Sequence, residues 1–263
     1  MNIESFKQTG VIGKGGFGEV SKADGADGKV YAIKRIPKEK NQDHNIVREV
    51  KAGTQLSHKN IIHFNTHYKD DKNDYLIFEF IQGIDMFSYL QSRKMKAVDE
   101  KKARKIITQI AEAVKHCHDN KVIHMDIKLD NIMYNRKTKQ ATLIDFGLCD
   151  FITEEKGDSM TRRVGSPEYC PPELLTKTSE TFSGCKVDVW CLGMVLYALL
   201  SCTFPFNPKK RKDLVRSGAE HPAVKFNFKI SEKAKDLLSK MLAIDPEQRI
   251  SMEQVLAHPW MNK

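Results

Sequence analysis

The chain has 263 residues, of which 40% are hydrophobic and 29% are charged. This composition is typical of a globular protein with a sizeable core and excludes a disordered chain. Lys and Arg outnumber Asp and Glu by 43 to 34, which gives a net charge of +9. Because the basic residues are scattered apart from one run at 209–212, we interpret the charge as a solubilising surface that suits phosphate-bearing ligands. We expect no nucleic acid and no membrane as partners.

The cysteines and the apolar segments indicate an intracellular protein. The six cysteines form no CxxC pair and have no metal-type spacing with histidine, so we expect free thiols in a reducing compartment. The first ten residues lack the apolar segment of a signal peptide. The longest apolar run, residues 189–200, is shorter than the roughly 20 residues that cross a bilayer. We predict that it forms a buried core helix.

The first 80 residues have the pattern of short strands around one helix. A helix is predicted over residues 44–56, with Ile46, Val47 and Val50 on one side. The β-type runs are residues 11–12, 19–20, 30–36 and 74–81.

From residue 82 onward the periodicity is mostly helical. Apolar residues recur at three- and four-residue spacing from Ala103 to Cys117, which predicts a long amphipathic helix. Ser231 and Ser251 are predicted N-caps, the second with Gln254 in the capping-box position. The whole pattern predicts a single α+β domain over residues 1–263 with two lobes. The small β-rich lobe covers about 1–81 and the larger α-helical lobe about 82–263.

Residues 13–18 (GKGGFG) lie between two strand-like runs. Glycines let the backbone approach a polyphosphate and direct N–H groups at its oxygens, although this spacing alone fits a hairpin turn equally well. The strand that follows disfavours a dinucleotide site, and the Gly-Lys-Ser/Thr ending of a P-loop is missing. Lys34, sixteen residues after Gly18, leaves an apolar strand and can reach the phosphates. Glu49 on the next helix can hold it by an ion pair.

Residues 124–131 (HMDIKLDN) and 145–147 (DFG) carry the strongest chemical signal. Phosphoryl transfer needs a group that orients the hydroxyl, a cation for the charge on the γ-phosphate and oxygen ligands for Mg²⁺. Asp126, Lys128, Asn131 and Asp145 supply these in turn, and no structural role explains the cluster comparably well.

With these motifs in order, the chain resembles the eukaryotic protein kinases over nearly its whole length. Residues 171–173 (PPE) and 188–193 (DVWCLG) and Arg249 extend the match. The resemblance implies the protein kinase fold, transfer from ATP with Mg²⁺ or Mn²⁺, and an ion pair between Arg249 and Glu173. Lys128 together with residues 165–169 (GSPEY) is the serine/threonine form.

The resemblance also implies a role for each site residue. In kinases of this pattern Asp126 accepts or orients the hydroxyl proton, Lys128 steadies the phosphoryl group, and Asn131 and Asp145 hold the metal ions. Phe78 occupies the position that closes the rear of the adenine pocket. The residues expected to bind ATP are Ile12, Gly13, Lys14, Gly15, Gly16, Phe17, Gly18, Val20, Ala32, Lys34, Glu79, Ile81 and Met133.

Asp85 and Asp130 occupy positions where acids in related kinases bind arginines N-terminal to the phosphoacceptor. We therefore predict a protein substrate that is basic around the phosphoacceptor, bound by a monomeric kinase. Surface or ribose contacts explain the two acids about as well.

Two subfamilies share motifs with the chain. Residues 165–169, 187–190 and 258–261 resemble the calcium/calmodulin-dependent and AMP-activated kinase group, which we favour. Residues 13–18, 32–36 and 48–52 look more like the double-stranded-RNA-activated kinase. The long small-lobe insert of that second group is missing, and only residues 69–73 fill the loop.

Three positions depart from the kinase pattern. Met125 replaces the arginine that, in many kinases, binds an activation-loop phosphate, and Arg162 stands where the phosphorylated threonine often lies. We therefore predict activity without phosphorylation at that position, with Ser159 and Thr161 left as possible acceptors.

Gly53 replaces an apolar side chain that stacks near Phe146 and His124. Either Phe78 fills the gap, or the helix is mobile and needs a partner.

The chain starts about nine residues before the first predicted strand and ends three residues after Trp260. We expect a minimal catalytic domain without a regulatory tail.

Two alternatives to an active protein kinase stay open. A pseudokinase scaffold has the same fold but predicts loss of a key residue, and all are present. A small-molecule kinase leaves residues 171–173 without a purpose.

Overall fold

The small lobe is a five-stranded antiparallel sheet with one helix, α1 (Asp43–Gln55), against one face. The structure of the whole chain is a computed structural model, which describes residues 3–15, 18–40, 42–176, 180–206 and 224–262. The basic run at 209–212 lies outside the described residues. The strands, in the spatial order β1-β2-β3-β5-β4, are β1 (Phe6–Lys14), β2 (Glu19–Gly25), β3 (Val30–Pro37), β4 (Phe64–Lys69) and β5 (Asn73–Glu79).

The alternation of β5 explains how this sheet is buried on both faces. Tyr75 and Ile77 pack in one apolar cluster, whereas Leu76 and Phe78 pack in another with Ile46 of α1. The predicted strands and helix are confirmed, except that β4 was not predicted. The expectation that Val47 lies on the same side of the helix as Ile46 was wrong. Val47 is 65% exposed, because helical geometry turns it away from the face that carries Ile46 and Glu49.

Helices dominate the large lobe, as predicted. The N-cap side chains of Ser231 and Ser251 accept hydrogen bonds from backbone N–H groups, and Gln254 completes the capping box. The helices in the described part of this lobe are α2 (Met86–Ser92), α3 (Glu100–Asp119), α4 (Pro172–Thr176), α5 (Gly184–Ser201), α6 (Glu232–Met241) and α7 (Met252–Ala257).

Helix α5 is the centre of the large core. It is apolar on all sides and buried for nearly its whole length, with Trp190 fully enclosed. By length and composition it is the one helix among the described residues that could cross a membrane, but 83% of it is buried inside the protein. The prediction of a core helix over residues 189–200 is therefore confirmed.

Short strands in the large lobe hold the segments that carry the chemistry. β6 (Ile84–Asp85), β8 (Ile132–Asn135) and β9 (Gln140–Leu143) form a three-stranded sheet. The remaining strands form two separate pairs, β7 (Val122–Ile123) with β10 (Asp150–Phe151) and β11 (Ser159–Met160) with β12 (Phe182–Ser183). Residues 124–131 thus begin directly after β7, and residues 145–147 lie between β9 and β10.

The space beside Gly53 in α1 is filled by Phe64 of β4. A Cβ on Gly53 would stand 2.5 Å from the Phe64 Cβ. The Phe64 ring in turn packs edge-on against Phe78, with 5.6 Å between the ring centroids. The expectation that Phe78 itself fills the gap was therefore wrong, because the atoms nearest to a Cβ on Gly53 all belong to Phe64.

No disulfide joins the six cysteines, all of which lie in the described part of the chain. Burial raises the pKa of the Cys149 thiol to about 12, with a further contribution from the charge of Glu49. The prediction that the cysteines are thiols is confirmed.

Candidate active site

A cleft of about 540 Å³ opens between the sheet and the large lobe. Val20 and Ala32 from the sheet and Met133 from β8 contribute apolar walls, and Phe78 lies deep in it. A cleft of this size suits a ligand as large as a nucleotide. The predicted ATP residues that line it are Ile12, Gly13, Val20, Ala32, Lys34, Glu79, Ile81 and Met133.

Three other predicted residues of the glycine loop do not line this cleft. Lys14 is turned to solvent, with its side chain 75% exposed and 3.1 Å from the carboxylate of Glu19. Gly15 and Gly18 are joined by a backbone hydrogen bond of 2.9 Å. A Cβ on Gly18 would overlap the carbonyl of Arg35, so only glycine fits there. Gly16 and Phe17 lie outside the described residues.

Several lining residues were missed as ATP contacts by the sequence reasoning. Ile84 is in β6, Ser88 is in α2, and Ile144 directly precedes Asp145. An apolar residue beside a predicted metal ligand was the available signal for Ile144. Asp85 also lines the cleft, and its carboxylate caps α2 by accepting a hydrogen bond of 2.7 Å from the Ser88 N–H.

Lys34 lies at the centre of a buried charged cluster. Its Nζ donates to both carboxylate oxygens of Glu49, at 2.8 and 3.0 Å, and to Oδ1 of Asp145 at 3.0 Å. Burial alone lowers the pKa of Lys34, but the charges of Glu49 and Asp145 outweigh it and raise this pKa above its ordinary value. Lys34 therefore stays charged and ties β3, α1 and the segment after β9 together.

Burial and Lys34 have opposite effects on the two acids. Burial raises the pKa of Glu49 to about 7 although Lys34 opposes it, since two carboxylates share one ammonium group. For Asp145 burial also acts to raise the pKa, but Lys34 and the N–H of Gly147 outweigh it, and the pKa falls below its ordinary value. Asp145 is thus ionised at neutral pH.

Asp126 is the centre of a second cluster. Its Oδ2 accepts hydrogen bonds from Lys128 Nζ at 2.7 Å and Asn131 Nδ2 at 3.1 Å. Its Oδ1 accepts from both the N–H and the hydroxyl of Ser166, each at 2.9 Å. Gly165, at φ 110°, allows this approach, because a Cβ there would stand 2.7 Å from the Met125 carbonyl. Sequence reasoning named Asp126, Lys128 and Asn131, but not Ser166 as their partner.

Asp188, at the start of α5, fixes the backbone before Asp126. Its buried carboxylate accepts from the N–H groups of His124 and Met125, each at 2.9 Å, and contacts His118 Nε2 at 2.9 Å. These bonds hold Met125 at φ 67°, a left-handed conformation that methionine rarely adopts. The signal for this role was a lone acid beside a long apolar run.

Asn131 and Asp145 both line the cleft, and their donor set fits Mg²⁺. The Asn131 Nδ2 donates to Asp126, which leaves the amide oxygen as the atom of this side chain available to a metal. No cluster of three or more His, Cys, Asp or Glu suited to a metal occurs among the described residues. Mg²⁺ takes one or two protein carboxylates together with substrate phosphates, so the carboxylate of Asp145 with the amide oxygen of Asn131 is a suitable donor set.

The predicted ion pair between Glu173 and Arg249 is confirmed. Arg249 is buried and binds the two carboxylate oxygens at 2.7 and 3.1 Å. It joins α4, which follows the segment with Ser166, to the base of the large lobe.

Comparisons with known proteins agree with this geometry. The family model described as protein kinase domain matches residues 6–261. Protein kinase kin1 of Schizosaccharomyces pombe is 35% identical over 244 residues, which cover 92% of this chain and 26% of the relative. Calcium-dependent protein kinase 4 of Plasmodium falciparum is 35% identical over 272 residues, covering 98% and 49%. Aurora kinase of Dictyostelium discoideum is 33% identical over 266 residues, covering 99% and 67%. The chain thus spans less than half the length of the first two relatives.

Proposed function

The chain belongs to the protein kinase family, and we propose that it transfers the γ-phosphoryl group of ATP to serine or threonine hydroxyls of proteins. The observation that carries this proposal is the pair of linked clusters, Lys34 with Glu49 and Asp145, and Asp126 with Lys128 and Asn131. Glu49 holds Lys34 in an ion pair beside Asp145, so the cation for the phosphates and the acid for the metal lie together, as phosphoryl transfer requires.

In this proposal Asp126 orients the substrate hydroxyl and accepts its proton. Four hydrogen bonds from Lys128, Asn131 and Ser166 fix the direction of its carboxylate before any substrate binds. Lys128, held between Asp126 and the Ser166 hydroxyl, supplies positive charge to the transferring phosphoryl group.

ATP occupies the cleft, with its adenine between Val20, Ala32 and Met133 and its hydrogen bonds at Glu79 and Ile81. Lys34 binds its phosphates, and Asn131 and Asp145 would hold Mg²⁺, with Mn²⁺ as a second suitable ion. When bound there, the metal would supply positive charge that neutralises the phosphates. The lowered pKa of Asp145 supports this role, because a carboxylate must be ionised to bind a cation.

We infer a basic preference around the phosphoacceptor from Asp130, whose side chain is exposed beside the catalytic cluster. Asp85 contributes less, because its carboxylate already caps α2 and lines the cleft, which supports the ribose contact. A peptide array tests this inference. Enrichment of Arg and Lys before the phosphoacceptor supports it, and a preference for acidic or proline-directed sites contradicts it.

The remaining aspects of the proposal concern the setting. The protein acts inside the cell as a monomer, without nucleic acid or membrane, and needs no phosphate at position 162. The relative named calcium-dependent protein kinase 4 favours the calcium/calmodulin-dependent and AMP-activated group over the double-stranded-RNA-activated one.

An assay with radiolabelled ATP and generic basic substrates tests the function, with wild type and Asp126→Asn compared in Mg²⁺ and in Mn²⁺. Label transfer by wild type alone supports a kinase. Absence of label transfer by both proteins in both metals contradicts it and favours a scaffold on the kinase fold.

A further inference from the structure

Arg162 is bonded to three consecutive residues of the segment that follows Asp145. Its Nη2 donates to the carbonyls of Leu148 and Cys149, at 2.5 and 2.7 Å, and its Nε donates to the carboxylate of Asp150 at 3.2 Å. An exposed Arg–Asp pair alone contributes little, but a guanidinium that also binds two backbone carbonyls fixes the path of the chain. Arg162 therefore joins the later part of this segment to its first part.

The stretch that Arg162 holds lies between the two catalytic clusters. Asp150 and Phe151 form β10, which pairs with β7 directly before His124. On the other side, Leu148 is only three residues from Asp145. A displacement of residues 148–150 would therefore disturb both the metal-binding acid and the catalytic loop.

The same stretch contacts α1 on both sides of Glu49. The Lys51 ammonium lies 4.0 Å from the centroid of the Phe151 ring, and the Cys149 thiol contacts the Arg48 carbonyl at 3.6 Å. Contacts thus run without a break from Arg162 through Cys149 and Phe151 to the helix that places Glu49 beside Lys34.

We call the contacts of Arg162 with residues 148–150 the latch. In a phosphate switch, an anionic group on the activation segment binds a cationic pocket; in the latch, a cationic side chain of the segment binds an acid and two carbonyls. Met125 is 1% exposed and offers no cation to a phosphate. The basic group is Arg162 itself, and its acceptors are Asp150 and two carbonyls. Met125 therefore leaves no cation that needs a phosphate, and Arg162 has its acceptors within the protein, so neither residue requires phosphorylation of the segment.

We propose that Arg162 is a positioning residue, which holds residues 148–150 so that Glu49 and Asp145 both reach Lys34 without phosphorylation of the segment. This inference rests on the proposed kinase function. Because Arg162 acts through other residues, its loss lowers kcat more than it raises KM for ATP.

The test compares Arg162→Gln, Arg162→Lys, Asp150→Asn and the double variant Arg162→Gln/Asp150→Asn with wild type, all treated with phosphatase and checked by mass spectrometry. Lys235→Gln, in an exposed pair on α6, is the matched control.

Arg162→Gln is expected to lower kcat about 10- to 100-fold, since small misplacements of catalytic groups have effects of this size. Arg162→Lys restores only part of it, because an ammonium cannot reproduce the planar fork. The double variant is expected to lose no more than Arg162→Gln.

Hydrogen exchange separates this latch from the proposed function. Arg162→Gln is expected to exchange faster at residues 148–151 and in α1, with an unchanged midpoint of urea unfolding, even if the wild type transfers no phosphate. Two results overturn the inference. One is an active wild type whose kcat is fully retained by dephosphorylated Arg162→Gln, and the other is unchanged exchange in these segments. If the wild type transfers no phosphate but Arg162→Gln changes the exchange as expected, the proposed function fails and the latch stands.

Discussion

Gly53 of α1 and Phe64 of β4 are complementary in size. A Cβ on Gly53 would stand 2.5 Å from the Cβ and 2.7 Å from the Cγ of Phe64, and the Phe64 ring packs against Phe78 beside the cleft. The helix that carries Glu49 therefore rests on an aromatic ring supplied by the sheet, so the missing side chain leaves no gap.

Gly53→Leu is expected to destabilise the protein, although glycine is a poor helix former. Leucine improves helix propensity by almost 1 kcal/mol. Overpacking against Phe64 outweighs this gain, with a typical cost of about 1–3 kcal/mol. The displaced α1 also weakens the pair of Lys34 and Glu49, so kcat falls. Urea unfolding and steady-state kinetics measure the two effects.

The double variant Gly53→Leu/Phe64→Ala is the control for this account. Removal of the ring makes room for the leucine, so the double variant should regain part of both the stability and the activity lost by Gly53→Leu. A Gly53→Leu protein as stable and as active as wild type would show that Phe64 does not restrict this site.

Asp188→Asn is expected to loosen the backbone before Asp126. The asparagine amide places a donor against the N–H groups of His124 and Met125, so at least one buried hydrogen bond is lost, at a cost of about 1–3 kcal/mol. A fall in both kcat and unfolding free energy is predicted. Asp119→Asn removes a carboxylate from an exposed pair with Lys115 and should change neither by much. Equal behaviour of the two variants would refute the anchoring role.

The pair of Arg249 and Glu173 predicts a large loss of stability on truncation. Glu173→Ala leaves the guanidinium of Arg249 buried without its bidentate partner, which typically costs about 3–5 kcal/mol. Urea denaturation of Glu173→Ala and of Glu232→Ala, which breaks an exposed pair with Lys235, measures the contrast. A loss below about 1 kcal/mol in Glu173→Ala would place this pair with surface ion pairs.

The raised pKa of Glu49 gives a pH dependence with a definite sign. Burial raises this pKa to about 7, whereas the unfolded chain titrates near 4.5. Between these values the folded protein binds more protons than the unfolded chain, so the contribution of Glu49 to stability falls as pH rises. Stability of Glu49→Gln relative to wild type should therefore increase from pH 4.5 to pH 7. Unfolding curves at several pH values test this, and a difference that is flat or falls with pH contradicts it.

The fold was predictable where local pattern and burial coincide. The apolar run 189–200 became the core of α5, and Ser251 with Gln254 formed the predicted cap, because both signals are contained in a few neighbouring residues. Strand β4 carries no clean alternation, since polar Asn65 and His67 flank Thr66, and it was missed. Val47 was misplaced because consecutive residues of a helix point about 100° apart, so Val47 does not share the face of Ile46.

The residues of the candidate site and two of its ion pairs, Lys34 with Glu49 and Arg249 with Glu173, were predictable from sequence motifs, but its other contacts were not. Asp126, Lys34 and Asp145 stand in motifs whose order indicates their chemistry. The partners that fix them come from distant segments, Ser166 for Asp126 and Phe64 for Gly53. Such pairs depend on how two elements approach in space, which spacing along one chain does not encode.

The measurement that tests the central claim most directly is identification of the phosphorylated amino acid. Wild type and Asp126→Asn are incubated with γ-labelled ATP, Mg²⁺ and a basic protein substrate, and the product is hydrolysed and its phosphoamino acids are separated. Wild type should place label on serine or threonine, and Asp126→Asn should place little or none. Label on tyrosine, or equal label with both proteins, would contradict the account.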